Sequence, residues 1–224
     1  MSERPGARLA RRPLHVFLLL DCSGSMAAGG KMTALNTSVR EVLPHLAESA
    51  NGNPHADVTV RAIAFSSGAR WHVESPTSPD DLAWDDLEPG GYTDLGAAIR
   101  LLGSALTVPP MEERALPPAV VLVSDGMATD DFTAAMDELL ALPWGSRAVR
   151  MAVAIGHDAD YGTLARFIAD PAIDPVTAAN PEQLVMALRW ATLHVARAAS
   201  SVAPPAPAPA QVTAWQGDDA EAVW

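Results

Sequence analysis

The chain has 224 residues, of which 49% are hydrophobic and 19% are charged. This composition supplies the apolar surface that one folded domain needs, so it excludes disorder across most of the length. The 15 lysines and arginines against 27 aspartates and glutamates give a net charge of −12. So acidic a chain has little from which to build the basic face of a nucleic-acid-binding protein.

The cysteine content and the N-terminal region predict the compartment. Cys22 is the only cysteine, so it forms no disulfide within the chain, which fits a reducing environment. The apolar run Leu14–Leu20 follows several arginines, but it contains His15 and ends on Asp21 without a small-residue cleavage site, which argues against a signal peptide. No stretch reaches the ~18 apolar residues of a membrane span. We expect a soluble, cytoplasmic protein that does not bind membranes.

Strands and helices alternate along the chain. The predicted strands are Leu14–Leu20, Asp57–Phe65, Ala69–Glu74, Ala119–Val123, Val149–Ile155 and Val176–Ala178. The predicted helices are Met32–Ser49, Leu95–Leu106, Phe132–Leu142, Asp160–Ile168 and Pro181–Ala199. The second and third strands form a hairpin. This order predicts a Rossmann-like, doubly wound α/β fold: a mostly parallel sheet of about six strands with one antiparallel edge strand and helices on both faces.

Composition changes at both ends of this pattern. Residues 1–12 are polar and arginine-rich, and we expect them to be mobile, with the folded domain over 13–199. Residues 200–224 begin with a proline- and alanine-rich linker and end in an acidic tail that carries Trp215 and Trp224. Two interpretations of the tail stay open. It is a disordered end, or it docks on a partner or on the metal site of this or a neighbouring chain.

Five oxygen-bearing side chains follow predicted strands or a glycine-rich loop: Asp21, Ser23, Ser25, Thr93 and Asp125. The carboxyl ends of neighbouring parallel strands lie side by side where the strand order reverses, so we expect these side chains to converge. Hard cations such as Mg²⁺ or Mn²⁺ prefer oxygen ligands. If the neutral hydroxyls bind the ion directly, it stays electron-poor and attracts an outside carboxylate. That chemistry is typical of a binding site rather than of an enzyme.

The segment Asp21-Cys22-Ser23-Gly24-Ser25, with Thr93 and Asp125, resembles the Asp-x-Ser-x-Ser, Thr and Asp elements of the metal-ion-dependent adhesion site in von Willebrand factor A domains. The similarity covers about residues 12–199. It implies that Ser23, Ser25 and Thr93 bind the metal directly and that Asp21 and Asp125 act mainly through water. It also implies a non-enzymatic, metal-dependent protein-binding module.

Within that family, the chain is most similar to the bacterial intracellular type associated with tellurium resistance (TerY-like). This closer resemblance implies a role in a stress-response or signalling assembly. It also implies partners such as a kinase-like protein or a metal-dependent phosphatase, one of which would supply an acidic residue to the metal.

The sequence argues against two catalytic families, one at a single position and one at two positions. A haloacid-dehalogenase-type enzyme needs a second aspartate where Ser23 stands, and a P-loop needs glycine at Ser25 and serine or threonine at Met32. A Mg²⁺-dependent hydrolase using the same ion stays open as an alternative. The candidate bases are Asp130 and Asp131, although capping of the following helix is the simpler role for both.

Two further roles follow from sequence position alone. Asp94 directly precedes the predicted helix Leu95–Leu106, so we expect it to cap that helix. The side chain of Cys22 is expected to point away from the side on which its neighbours Asp21 and Ser23 lie, so we expect it to be packed in the core rather than to be a reactive thiol.

Overall fold

The structure, a computed structural model, describes residues 11–156 and 159–200. Most of the predicted N-terminal segment and nearly all of the predicted C-terminal tail lie outside these residues. The strands are β1 (Arg12–Asp21), β2 (Ala56–Ser66), β3 (Gly68–Thr77), β4 (Ala119–Ser124), β5 (Val149–Ile155) and β6 (Val176–Ala178). The helices are α1 (Lys31–Asn51), α2 (Leu95–Ala105), α3 (Phe132–Ala141), α4 (Pro143–Arg147), α5 (Tyr161–Ile168) and α6 (Pro181–Ser200). A 3-10 segment over Gly24–Gly30 joins β1 to α1.

The six strands form one sheet in the order β3-β2-β1-β4-β5-β6. All neighbouring pairs are parallel except β2 and β3, which form an antiparallel hairpin at the edge. The predicted fold class is therefore confirmed. Because the chain leaves β1 toward β2 and later returns to β4 on the other side of β1, the strand order reverses between β1 and β4. Ligand sites of open α/β sheets lie at such a reversal.

Both faces of the sheet are covered, as a parallel sheet requires. Leu18 and Leu20 of β1 pack toward α1 and α6, whereas Phe17 and Leu19 pack toward α2, α3 and α5. This alternation explains why β1 reads as a continuous apolar run. Asp21, the polar residue that follows the apolar stretch, lies at the end of β1, where the loop begins.

Several elements differ from the sequence prediction by one or two residues at their ends, and two differ by more. Helix α4 was not predicted, because a five-residue helix is too short to show a period; its Trp144 packs into the core beneath α3. Strand β3 runs three residues beyond the predicted Glu74 and includes Pro76. Proline has no backbone N–H to donate, and an edge strand tolerates it because one side of that strand has no neighbouring strand to receive a hydrogen bond. No helix in the described ranges has the length and apolarity to cross a membrane.

Cys22 lies in the apolar core directly after β1. It is 4% exposed, and its Sγ donates to the Leu20 carbonyl oxygen at 3.6 Å. Burial raises the pKa of the Cys22 thiol to about 12, and the neighbouring Asp21 carboxylate acts in the same direction. The thiolate, which is the reactive form, is therefore scarce at neutral pH.

We expect Cys22 to resist alkylation in the folded protein. At about pH 8, iodoacetamide should label it at least ~100-fold more slowly than in denaturing urea, because both burial and the raised thiol pKa suppress attack. Mass spectrometry of quenched samples measures the two rates. Equal rates would contradict the packed environment.

Candidate metal centre

The candidate site lies where β1 and β4 end side by side. Asp21 is the last residue of β1, and Asp125 directly follows Ser124, the last residue of β4. Leu20 pairs with Val123 in the sheet register, so these two strand ends are neighbours. The site therefore occupies the point at which the strand order reverses.

Asp21 is a fully buried carboxylate without an ion pair among the residues that the structure describes. Its Oδ1 accepts a hydrogen bond from the Ser23 backbone N–H at 2.8 Å, and its Oδ2 accepts one from the Ser124 hydroxyl at 2.5 Å. Burial raises the pKa of Asp21, and the charge of Asp125 adds to the effect, while the hydrogen bonds from Ser124 and Ser23 oppose it. A cation at this site would offset both unfavourable contributions.

A chain of hydrogen bonds links the two serines of the first loop to Asp125. The Oγ atoms of Ser23 and Ser25 lie 2.9 Å apart, and the Ser25 hydroxyl donates to Asp125 Oδ1 at 2.6 Å. The other carboxylate oxygen, Oδ2, accepts a hydrogen bond from Lys31 Nζ at 2.8 Å. Three of these four groups come from the loop after β1 and the start of α1, and the fourth, Asp125, directly follows β4.

The loop that carries Thr93 is held against the first loop by backbone hydrogen bonds. The Gly90 N–H donates to the Cys22 carbonyl at 2.7 Å, and the Gly24 N–H donates to the Gly91 carbonyl at 3.0 Å. Gly91 has a φ of 85°, and a Cβ there would lie 2.5 Å from Ser67 Oγ. Only glycine meets both the left-handed backbone and the close approach at this position.

The loop after β4 is joined to the Thr93 loop in the same way. The Thr93 N–H donates to Thr129 Oγ1 at 3.0 Å, and the Thr129 N–H donates to the Thr93 carbonyl at 2.9 Å. A Cβ built on Gly126 would lie 3.7 Å from Thr93 Oγ1 and 4.0 Å from Ser25 Oγ. Hydroxyl oxygens from two different loops therefore border one small space at Gly126.

The capping residues differ from the sequence prediction. Asp94 precedes α2 but makes no side-chain cap; its carboxylate accepts hydrogen bonds from the Gly68 N–H and the Thr129 hydroxyl instead. Asp130 caps α2 from another loop. Its Oδ1 accepts a hydrogen bond from the Gly96 N–H and its Oδ2 accepts one from the Ala97 N–H, both at 2.8 Å.

The cap of α3 is Asp131 alone, which accepts a hydrogen bond from the Ala134 N–H at 3.0 Å. The expectation that both aspartates cap α3 is therefore wrong for Asp130. Its carboxylate is drawn to α2 because the N-terminus of that helix lies against the loop after β4.

The five predicted residues thus converge at one edge of the sheet, and their donor atoms are all oxygen. This donor set fits a hard divalent cation. Within 11–156 and 159–200, no three His, Cys, Asp or Glu side chains are grouped in a metal-binding arrangement. The cluster has only two carboxylates, so any cation here would depend on the hydroxyls.

Sequence reasoning missed two polar residues of this edge. Ser124 holds Asp21 through its hydroxyl, and Lys31 pairs with Asp125 from the first position of α1. Lys31 is the only lysine of the chain, whose other basic residues are arginines, and this was visible in the sequence. The sequence did not reveal that its helix begins beside the end of β4.

Comparisons with known proteins show the family and the fold. A model of the von Willebrand factor type A domain family matches residues 16–127. No curated protein sequence matches the chain. A von Willebrand factor type A structure from Catenulispora acidiphila superposes with a TM-score of 0.62 at 18% identity, covering 84% of this chain and 43% of that one.

Two further solved structures share the fold. The ArnB paralog VWA2 from Sulfolobus acidocaldarius gives a TM-score of 0.56 at 17% identity, over 79% of this chain and 44% of that one. Proximal thread matrix protein 1 from the mussel byssus, in a form with a zinc-occupied MIDAS motif, gives a TM-score of 0.61 at 15% identity, over 85% of this chain and 49% of that one. The chain spans less than half the length of these three structures. Because the family model matches half of its residues, the chain belongs to the von Willebrand factor type A domain family.

Proposed function

We propose that this chain is a metal-ion-dependent protein-binding module. The hydroxyls of Ser23, Ser25 and Thr93 bind Mg²⁺ or Mn²⁺ directly, and the carboxylates of Asp21 and Asp125 support the ion mainly through water. An Asp or Glu of a partner protein completes the coordination. The observation that carries the proposal is the convergence of hydroxyl oxygens from separate loops beside two buried carboxylates.

The charge balance of the site favours an outside acid. Three neutral hydroxyls add no negative charge to the ion, and the two aspartates neutralise it only in part when water separates them from it. A carboxylate from another molecule then gains both a strong charge interaction and an open coordination position. The zinc-occupied MIDAS motif of the mussel byssus protein, which shares the fold, supports metal binding by this arrangement.

Binding without catalysis is the second part of the proposal. A hydrolase would need a general base within hydrogen-bond reach of the ion. The candidates Asp130 and Asp131 are both engaged as helix caps, with their oxygens on backbone N–H groups of α2 and α3. Their engagement supports a binding module over the Mg²⁺-dependent hydrolase.

The finer assignment rests on the sequence resemblance alone. We propose a cytoplasmic TerY-like protein of a stress-response or signalling assembly, with a kinase-like protein or a metal-dependent phosphatase as partner. The acidic tail remains a second source of a carboxylate, in this chain or a neighbouring one.

Removing either a direct ligand, Ser23, or a supporting carboxylate, Asp125, tests the metal site. We expect Ser23→Ala and Asp125→Ala to weaken Mg²⁺ binding by about 10- to 100-fold, because each removes a group that holds or supports the ion. Isothermal titration calorimetry measures the affinity. Ser104→Ala, which removes an exposed hydroxyl on α2, is the matched control and should bind like the wild type. An unchanged Mg²⁺ affinity in Asp125→Ala would contradict the assignment of this metal site.

The two caps offer a paired test of how Thr93 is positioned. Asp130→Ala and Asp131→Ala should each lower the free energy of unfolding by about 1 kcal/mol, the usual effect of losing a cap. Only Asp130→Ala should also weaken Mg²⁺ binding, because Asp130 joins the loop after β4 to the helix that follows Thr93. Urea denaturation and calorimetry measure the two effects. Equal metal affinities in both variants would show that Asp130 does not position Thr93.

A further inference from the structure

A turn of two left-handed glycines directly precedes Lys31, which lies at the candidate metal centre. Gly29 and Gly30 have φ values of 61° and 75°, in the left-handed region that favours glycine. This turn ends the 3-10 segment and starts α1 at Lys31. The Lys31 side chain is 13% exposed, and its Nζ lies 2.8 Å from Oδ2 of Asp125, whose side chain is fully buried.

The position of this lysine conflicts with the electrostatics of its own helix. A helix N-terminus carries partial positive charge, so a cation in the first turn is unfavourable there. The first turn of α1 contains no acidic residue that would offset the repulsion. The contact with Asp125 is therefore the interaction that holds the ammonium group at this place.

Asp125 is shared between Lys31 and the hydroxyl cluster. Its Oδ2 accepts from the ammonium, whereas its Oδ1 accepts from the Ser25 hydroxyl at 2.6 Å. A divalent cation bound by Ser23 and Ser25 would face the same carboxylate from its Oδ1 side. Two cations on one carboxylate repel each other, and they do so strongly where water is largely excluded.

We propose that Lys31 is a tethered competitor of the divalent cation for Asp125. Metal binding and the Lys31–Asp125 contact oppose each other, so the ion binds weakly until the carboxylate of a partner protein adds its charge. Loading of the metal and docking of the partner thereby become coupled. This inference rests on the proposed metal-dependent function and adds a residue that sets the affinity of its site.

Substitution of the lysine measures the competition. We expect Lys31→Met, which keeps the length of the side chain without its charge, to bind Mg²⁺ about tenfold more tightly than the wild type. Lys31→Arg keeps the charge and should stay close to the wild type. The control is Arg40→Met on the same helix, where Arg40 pairs with Asp86 at the surface, and its affinity should not change. Calorimetry with Mg²⁺ alone measures all four proteins.

The wild type provides an independent readout, because a single lysine gives unambiguous signals. In protein labelled with [¹³C]lysine, the only labelled side chain is that of Lys31. Titration with Mg²⁺ should shift its Cε resonance along a curve that saturates with the calorimetric affinity, as the ammonium leaves Asp125. This measurement decides the question even if Lys31→Met does not fold.

The outcomes separate the two proposals. Tighter binding by Lys31→Met, or a saturating Cε shift in the wild type should the variant not fold, supports the competition. Unchanged or weaker binding by Lys31→Met overturns it while the metal site itself stands. Should the variant not fold, a Cε resonance that Mg²⁺ leaves in place overturns it in the same way. Absence of Mg²⁺ binding by wild type and variant alike overturns the proposed function, and the inference with it.

Discussion

The burial of Asp21 at the end of a central strand is the constraint on which the rest of this edge depends. A carboxylate removed from water is unfavourable unless hydrogen bonds or a cation compensate it. Ser124 and Ser23 each donate one hydrogen bond to it, yet burial and the nearby Asp125 still raise its pKa. Because two carboxylates already lie here, the neutral hydroxyls of Ser23 and Ser25 add oxygen atoms to the cluster without adding further negative charge.

The topology makes such a burial possible. Because β1 is covered on both faces, residues 16–20 of the strand are all apolar, and Asp21 is the polar group at the point where the chain leaves the sheet. The reversal of strand order between β1 and β4 opens a crevice at that point. Backbone hydrogen bonds at Gly90 and Gly91 then bring the Thr93 loop over it. The site is thus built on rigid strand ends and closed by loops that bond to one another.

Lys31 changes how the charge of this edge is understood. The two aspartates are not equivalent: Asp21 has no ion pair in the described part of the chain, whereas Asp125 pairs with the ammonium of Lys31. In the competition that we propose, this pairing is what weakens the attraction of the site for a dication.

Local patterns in the sequence determined the strands, the main helices, the hairpin and the five oxygen-bearing residues, because alternation, helical period and the Asp-x-Ser-x-Ser spacing are local properties. Three features were decided only by the tertiary structure. Asp130 caps α2 rather than α3, Asp94 bonds to the loops around it, and Lys31 pairs with Asp125. Each depends on which loop lies beside which helix end, and that is set by packing across the sheet, not by neighbours in the chain.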